Sequence, residues 1–160
     1  REDDFSDDVA LGATITQVDF PARCPSAEEL SAAHALFDGG ENWSDSEWIY
    51  ARELVLCADM PSQWQIPIHT MRIGELGIVG LPGEVLVEYA LWIERDSAFE
   101  HTIVPAYTNG MVGYVATAGA IARGGYEVDT SFDYYGGLSL RCETEPIVLA
   151  GVAEMLAELG

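Results

Sequence analysis

Residues 71–107, MRIGELGIVGLPGEVLVEYALWIERDSAFEHTIVPAY, change their hydrophobic period more than once, and those changes decide the fold class. Ile73, Leu76, Ile78 and Val79 lie on either side of Gly74-Glu75, which predicts a β-hairpin whose second arm is a buried strand. Leu81-Pro82-Gly83 then forms a sharp turn. Glu84 opens a run over 85–93 that is apolar almost all round, the pattern of a buried rather than a surface helix. Glu94, Arg95 and Asp96 carry its end into water, and 101–107 reads as a further strand of core type. Strand, turn, helix, strand predicts an α/β fold, with a mixed sheet and packed helices.

Working outward, residues 65–72 alternate through Ile66, Ile68 and Thr70, forming the first arm of the hairpin. Upstream, 13–20 reads as a strand, with Ile15 and Val18 among its apolar members, ended by Pro21 and Pro25. Ser26 with Glu29 forms a capping box, followed at helical spacing by Leu30, Ala33 and Phe37 until Gly39-Gly40. Ser44 with Glu47 repeats the signal before Trp48, Ala51 and Val55, so a helical hairpin is expected. Downstream, 108–137 is loop-like, with a short helix over 117–122. So long an irregular segment inside a compact domain is usually functional. Pro146 is placed to open a last helix, with Val148, Val152, Met155 and Leu159 on one face and Glu154 and Glu158 on the other. The expected divisions are an acidic tail (1–12), a strand plus helical hairpin (13–60), a site-bearing segment (61–137) and a terminal helix (138–160).

The chain has 160 residues, with 27 Asp and Glu against 7 Lys and Arg, a formal charge of -20. Every basic residue is an arginine. That balance excludes unassisted nucleic-acid binding, which requires a basic face, and disfavours anionic membranes. With 49% hydrophobic and 10% aromatic residues, it also excludes a disordered chain. A lysine-free acidic surface suits a high-salt solvent that screens self-repulsion. A GC-rich genome that replaces lysine by arginine explains it equally well. Because the chain begins at Arg1, it is expected to be a fragment, a processed subunit or a trimmed product. No run of about 18 apolar residues appears, and the compartment stays open. Cys24, Cys57 and Cys142 form no CxxC pair and are expected to be buried free thiols.

Several catalytic signatures are absent: no G-x-S-x-G, no Walker loop, no H-E-x-x-H and no G-x-G-x-x-G. His34, His69 and His101 are too scattered to form a motif and read as structural. Glu84 follows a strand and a Pro-Gly turn, where α/β folds place active groups. At the N-terminus of the expected helix it would stay ionised, as a metal ligand or general base must. The plainer reading is a first-turn glutamate that only complements the dipole. Asn109, Tyr114 and Tyr126 sit among glycines in the irregular segment. A tyrosine there is able to stabilise an oxyanion or ligate a metal, or it simply bridges loop and core.

Residues 71–84, from Met71-Arg72-Ile73-Gly74 to Pro82-Gly83-Glu84, resemble the R-I-G-x-L-x-x-x-x-x-P-G-E segment of neutral ceramidases and their bacterial relatives. Residues 107–117 are similar to that family's N-x-x-x-x-Y-V-x-T loop, and Tyr126-Glu127, twelve residues after Tyr114, to its Y-E element. The resemblance implies a zinc-dependent amidase that splits ceramide into sphingosine and a fatty acid. It implies that Glu84 and Tyr114 are two ligands of the zinc, beside two histidines. Tyr126 would be the catalytic tyrosine that stabilises the oxyanion, and Asn109 and Gly83 would contact substrate. The family's histidines belong to a preceding H-T-H segment, and no histidine of this chain matches them. The resemblance therefore implies the C-terminal part of a larger catalytic domain. It would be completed by a missing N-terminal half or companion chain carrying the histidine ligands, and it would be inactive alone. Val85-Leu86-Val87-Glu88 and Met111 depart from the family pattern and leave the acyl group open. A related metallohydrolase of non-lipid amides or esters, and a non-catalytic acidic interaction subunit, stand as the alternatives.

Overall fold

A computed structural model describes residues 8–160. Most of the expected acidic tail, 1–7, lies outside the described residues, and the tail ends earlier than 12 because strand β1 begins at Leu11. The elements follow as β1 (Leu11–Pro21), α1 (Ala27–Phe37), α2 (Ser46–Leu56), β2 (Gln63–Ile73), β3 (Leu76–Gly80), β4 (Glu84–Val85), α3 (Val87–Asp96) and β5 (His101–Ile103). Then come β6 (Tyr114–Val115), α4 (Ala118–Arg123), a π-helical turn (Tyr126–Thr130), α5 (Phe132–Tyr135) and α6 (Thr144–Leu159). The fold is α/β. Its main sheet is mixed, in the order β1-β2-β3-β5, antiparallel between the first three strands and parallel between β3 and β5.

Strand alternation divides this sheet into two unlike faces. Val18, Phe20, Ile68 and Val79 point to one side, where they are buried against Val148, Val152, Met155 and Leu156 of α6 and Tyr89 and Ile93 of α3. Helix α6 keeps the expected stripe, and Pro146 is the third residue of its first turn rather than its opening residue. Proline is harmless there, because a first-turn N–H has no intrahelical acceptor to lose. A second, smaller cluster gathers Ala33, Ala51, Leu54 and Cys57 between α1 and α2, closed by Leu138.

Three expectations change. The helix after the turn starts at Val87, not Glu84, because Glu84 and Val85 pair with a strand that local periodicity cannot reveal. Nor is that helix buried all round: Tyr89 and Ile93 are covered, while Val87 and Leu91 face outward. The strand expected over 101–107 stops at Ile103, and Pro105, which has no N–H to donate, instead accepts from Leu81 N–H. Smaller corrections concern Asp45, which replaces Ser44 as the cap of α2, and the thiols, of which only Cys57 is buried. Burial pushes the Cys57 thiol up.

The capping box of α1 forms as expected: Glu29 N–H donates to the Ser26 hydroxyl, and Ser26 N–H to the Glu29 carboxylate. Ser26→Ala should cost about 1 kcal/mol in urea unfolding. The bond from Ser26 N–H is the main cause holding the Glu29 carboxyl below its ordinary value, with Arg23 adding to it. A carboxyl whose pKa is lowered by folding stabilises the fold above its unfolded value, about 4.3, and loses that contribution as pH falls through the folded one. Glu29→Gln should therefore flatten the acid limb of the stability profile, as read from urea midpoints between pH 6 and 3.

Candidate functional site

The site is built on the Leu81-Pro82-Gly83 turn. Gly83 has φ +67, and a Cβ there would lie 2.4 Å from the Gly113 carbonyl oxygen, so only glycine lets the two segments approach. Gly83 N–H donates to Gly110 O (3.0 Å), Tyr107 N–H to Gly83 O (2.9 Å), and Glu84 N–H to Gly113 O (2.9 Å). These bonds fasten 107–113 along the turn and lead into the parallel pair β4–β6, in which Glu84 is opposite Tyr114. Residues in register on neighbouring strands project to the same face, which brings the two side chains together. Glu84 thus sits on a strand, and the helix-dipole account of its ionisation does not apply.

The Glu84 carboxylate is ringed by phenols. Tyr135 donates its hydroxyl to Oε1, and Tyr107 and Tyr114 hydrogen-bond to the same carboxylate. The bond to Glu84 is the main cause pushing the Tyr114 phenol up to about 12, and it raises Tyr107 as well. Tyr126 and Tyr135 pack their rings edge-on against Tyr114 at 5.9 and 6.0 Å. Tyr126 is about half exposed, so the cluster opens outward. Beside it, Tyr114 and Tyr135 wall a cavity of about 320 Å³ whose other sides include Met60, Trp64, Met111 and Phe132.

The loop entering the site is conformationally unusual. Tyr107 and Asn109 both have φ near +60, a region costly for a residue with a Cβ, most of all for a bulky one such as Tyr107. Asn109 lies at 2.9 Å from His69 through Nδ2 and Nδ1, so its amide is anchored on strand β2. Of the expected residues, Glu84, Tyr114, Tyr126 and Gly83 converge, while Asn109 is held on the flank by His69. Tyr107 and Tyr135 escaped the sequence reading. Tyr107 opens the 107–117 stretch but carries no role in the motif, whereas Tyr135 reaches Glu84 from 51 residues away and gives no local signal. His34 and His101 are exposed and stand apart from this cluster.

A metal fits the donor set only in part. Glu84 and Tyr114 offer two adjacent oxygens, but zinc ordinarily takes four ligands, or three and a water. Among the described residues no group of three His, Cys, Asp or Glu side chains gathers to hold a metal. An ultraviolet titration should show one phenol ionising near 12. Glu84→Gln should bring it back toward about 10. Because this pKa is raised, the bond stabilises the fold fully below about 10 and fades as pH rises through about 12.

No protein-family model matches the chain, and no curated protein matches it. Its fold is nevertheless that of a neutral ceramidase-like region. Over 94% of its length it superposes on neutral ceramidase from Pseudomonas aeruginosa, with a TM-score of 0.50 and 22% identity, and there it covers 28% of that chain. A structure of a ceramidase complexed with C2 aligns over the same 94%, with 17% identity, a TM-score of 0.47 and 29% of that chain covered. The chain thus spans little more than a quarter of the length of these two structures. Among the described residues no helix is long and apolar enough to cross a membrane.

Proposed function

We propose that this chain is part of a ceramidase-like, zinc-dependent amide hydrolase, contributing Glu84 and Tyr114 to a metal whose histidine ligands come from a missing N-terminal half or a companion chain. The observation that carries the reading is the register of β4 on β6. It brings the glutamate of one quoted segment against the tyrosine of the other, within a ceramidase-like fold. Zinc bound there would supply a polarised carbonyl and a water of lowered pKa. Around it, the half-exposed Tyr126 phenol, packed on Tyr114, would donate to an oxyanion, and Tyr107 and Tyr135 would orient the Glu84 carboxylate. Asn109 and Gly83 border the substrate, a lipid amide whose apolar part suits the adjoining cavity.

The test is metal analysis of the chain purified with its histidine-bearing polypeptide, alongside hydrolysis of a ceramide analogue. One zinc per assembly with chelator-sensitive activity is expected, and no activity from the 160-residue chain alone. Chelator-sensitive hydrolysis by the lone chain would overturn the shared site, and an active assembly without zinc would overturn the metal.

A further inference from the structure

Among the described residues, the main sheet has helices on one face only. On its other face the strand registers place the apolar Leu11, Ile15, Met71, Ile73, Ile78 and Ile103 beside a polar set that includes Gln17, Gln65 and His101. Leu11, Ile15, Met71, Ile73 and Ile103 are each two-fifths or more exposed. Together these five leave on the order of 500 Å² of apolar surface in water, toward the upper end for a monomer's largest apolar patch, and such patches are often functional. In a chain of net charge -20, the described strand residues on this face include one carboxylate, Asp19, at its far end. A surface so poor in charge on so acidic a molecule is built to be covered.

The same face runs into the candidate site. A Cβ on Gly80 would meet the Thr108 side chain at 2.9 Å, so Thr108 lies over the end of β3, on the side that His69 shares through its pairing with Gly80. His69 in turn holds Asn109. At this rim lie His69 Nε2 and Thr108 Oγ1, two of the six buried side-chain polar atoms that have no hydrogen-bond partner among the described residues. The site loop thus laps the edge of the uncovered face, and both are incomplete at the same place.

We infer that this face is the seat of the polypeptide that completes the metal site, packing as an apolar layer on β1, β2, β3 and β5. The inference rests on the function proposed above, and it assigns one occupant to two deficits, the bare sheet and the absent ligands. The shared fold occurs within chains of which it forms little more than a quarter, which leaves ample polypeptide for a further layer. A second copy is the poorer occupant, because two molecules of charge -20 repel as they approach.

Hydrogen peroxide footprinting of Met71 tests this, with buried Met155 as the internal control. In the 160-residue chain Met71 should oxidise readily, and in the chain purified with its histidine-bearing polypeptide at least about tenfold more slowly. Ile73→Glu should leave the melting temperature of the lone chain unchanged and weaken its assembly about 100-fold or more. Protection of Met71 in an assembly that holds no zinc would support the interface while removing the metal. A zinc-loaded assembly in which Met71 oxidises as fast as in the lone chain would overturn the interface and leave the metal reading standing. A lone chain that sediments as a dimer with Met71 protected would overturn the choice of occupant.

Discussion

At the proposed zinc site, Glu84→Gln in the proposed assembly should lower metal affinity by at least about 100-fold, since groups one shell further out already cost 10–100-fold when removed. The change keeps the size of the side chain and removes its charge. The neutral amide is a poor metal ligand, and its NH2 group meets phenol oxygens that had been donating to a carboxylate. Fold and assembly should survive, because Glu84 is only half-buried and its strand is held by backbone bonds. Tyr114→Phe should weaken zinc less severely, because it removes a neutral donor that ionises only at about 12 without the cation's help. Equilibrium dialysis of both variants, with circular dichroism as a check on folding, reads the difference. Unchanged zinc content in Glu84→Gln would reduce Glu84 to a structural partner of its tyrosines.

Gly83→Ala should destabilise the protein by about 3 kcal/mol, through backbone strain and a forced shift of the neighbouring strand. The added methyl would lie 2.4 Å from the Gly113 carbonyl oxygen and 2.9 Å from Val112, and neither the backbone nor the sheet can give way cheaply. Relief requires the 107–113 segment to move off the turn, which uncouples Glu84 from Tyr114. The variant should therefore show two linked effects: a lower urea midpoint, and a Tyr114 phenol that titrates closer to about 10. Loss of stability with the phenol still ionising near 12 would mean that the turn and the tyrosine cluster are independent.

What the amino-acid order reveals by itself is whatever depends on near neighbours. The capping box at Ser26 and Glu29, the hairpin at Gly74-Glu75 and the apolar stripe of α6 are each written within a few residues, and each forms. The strand β4 is invisible on those terms. Glu84 and Val85 lie beside a run of helix-compatible apolar residues, and only the backbone of Gly113 to Val115 turns them into a strand. The same holds for Asp45, which displaced Ser44 at α2 by a shift of one residue, within the usual uncertainty of a helix start. At the site, the motif resemblance drew attention to Glu84 and Tyr114 separately, and their adjacency is a property of register. Tyr135 could not have been found, since nothing around Tyr134-Tyr135-Gly136-Gly137 distinguishes a carboxylate partner from a surface tyrosine.

The order in which the parts leave the ribosome follows from one arrangement at the sheet. Leu159 lies over Gly12, and Arg72 donates to the carbonyl of Leu159, so α6 covers strands that are made well before it. While residues up to about 140 emerge, β1 and β2 are able to pair, yet Val18, Phe20 and Ile68 lack most of their cover until α6 arrives. A nascent region in that condition has the core side of its sheet open to water and a long edge at β1 ready to pair wrongly. Docking of α6 is then the event that commits this region to its fold, and a chain cut before Val148 should depend on chaperones or be degraded.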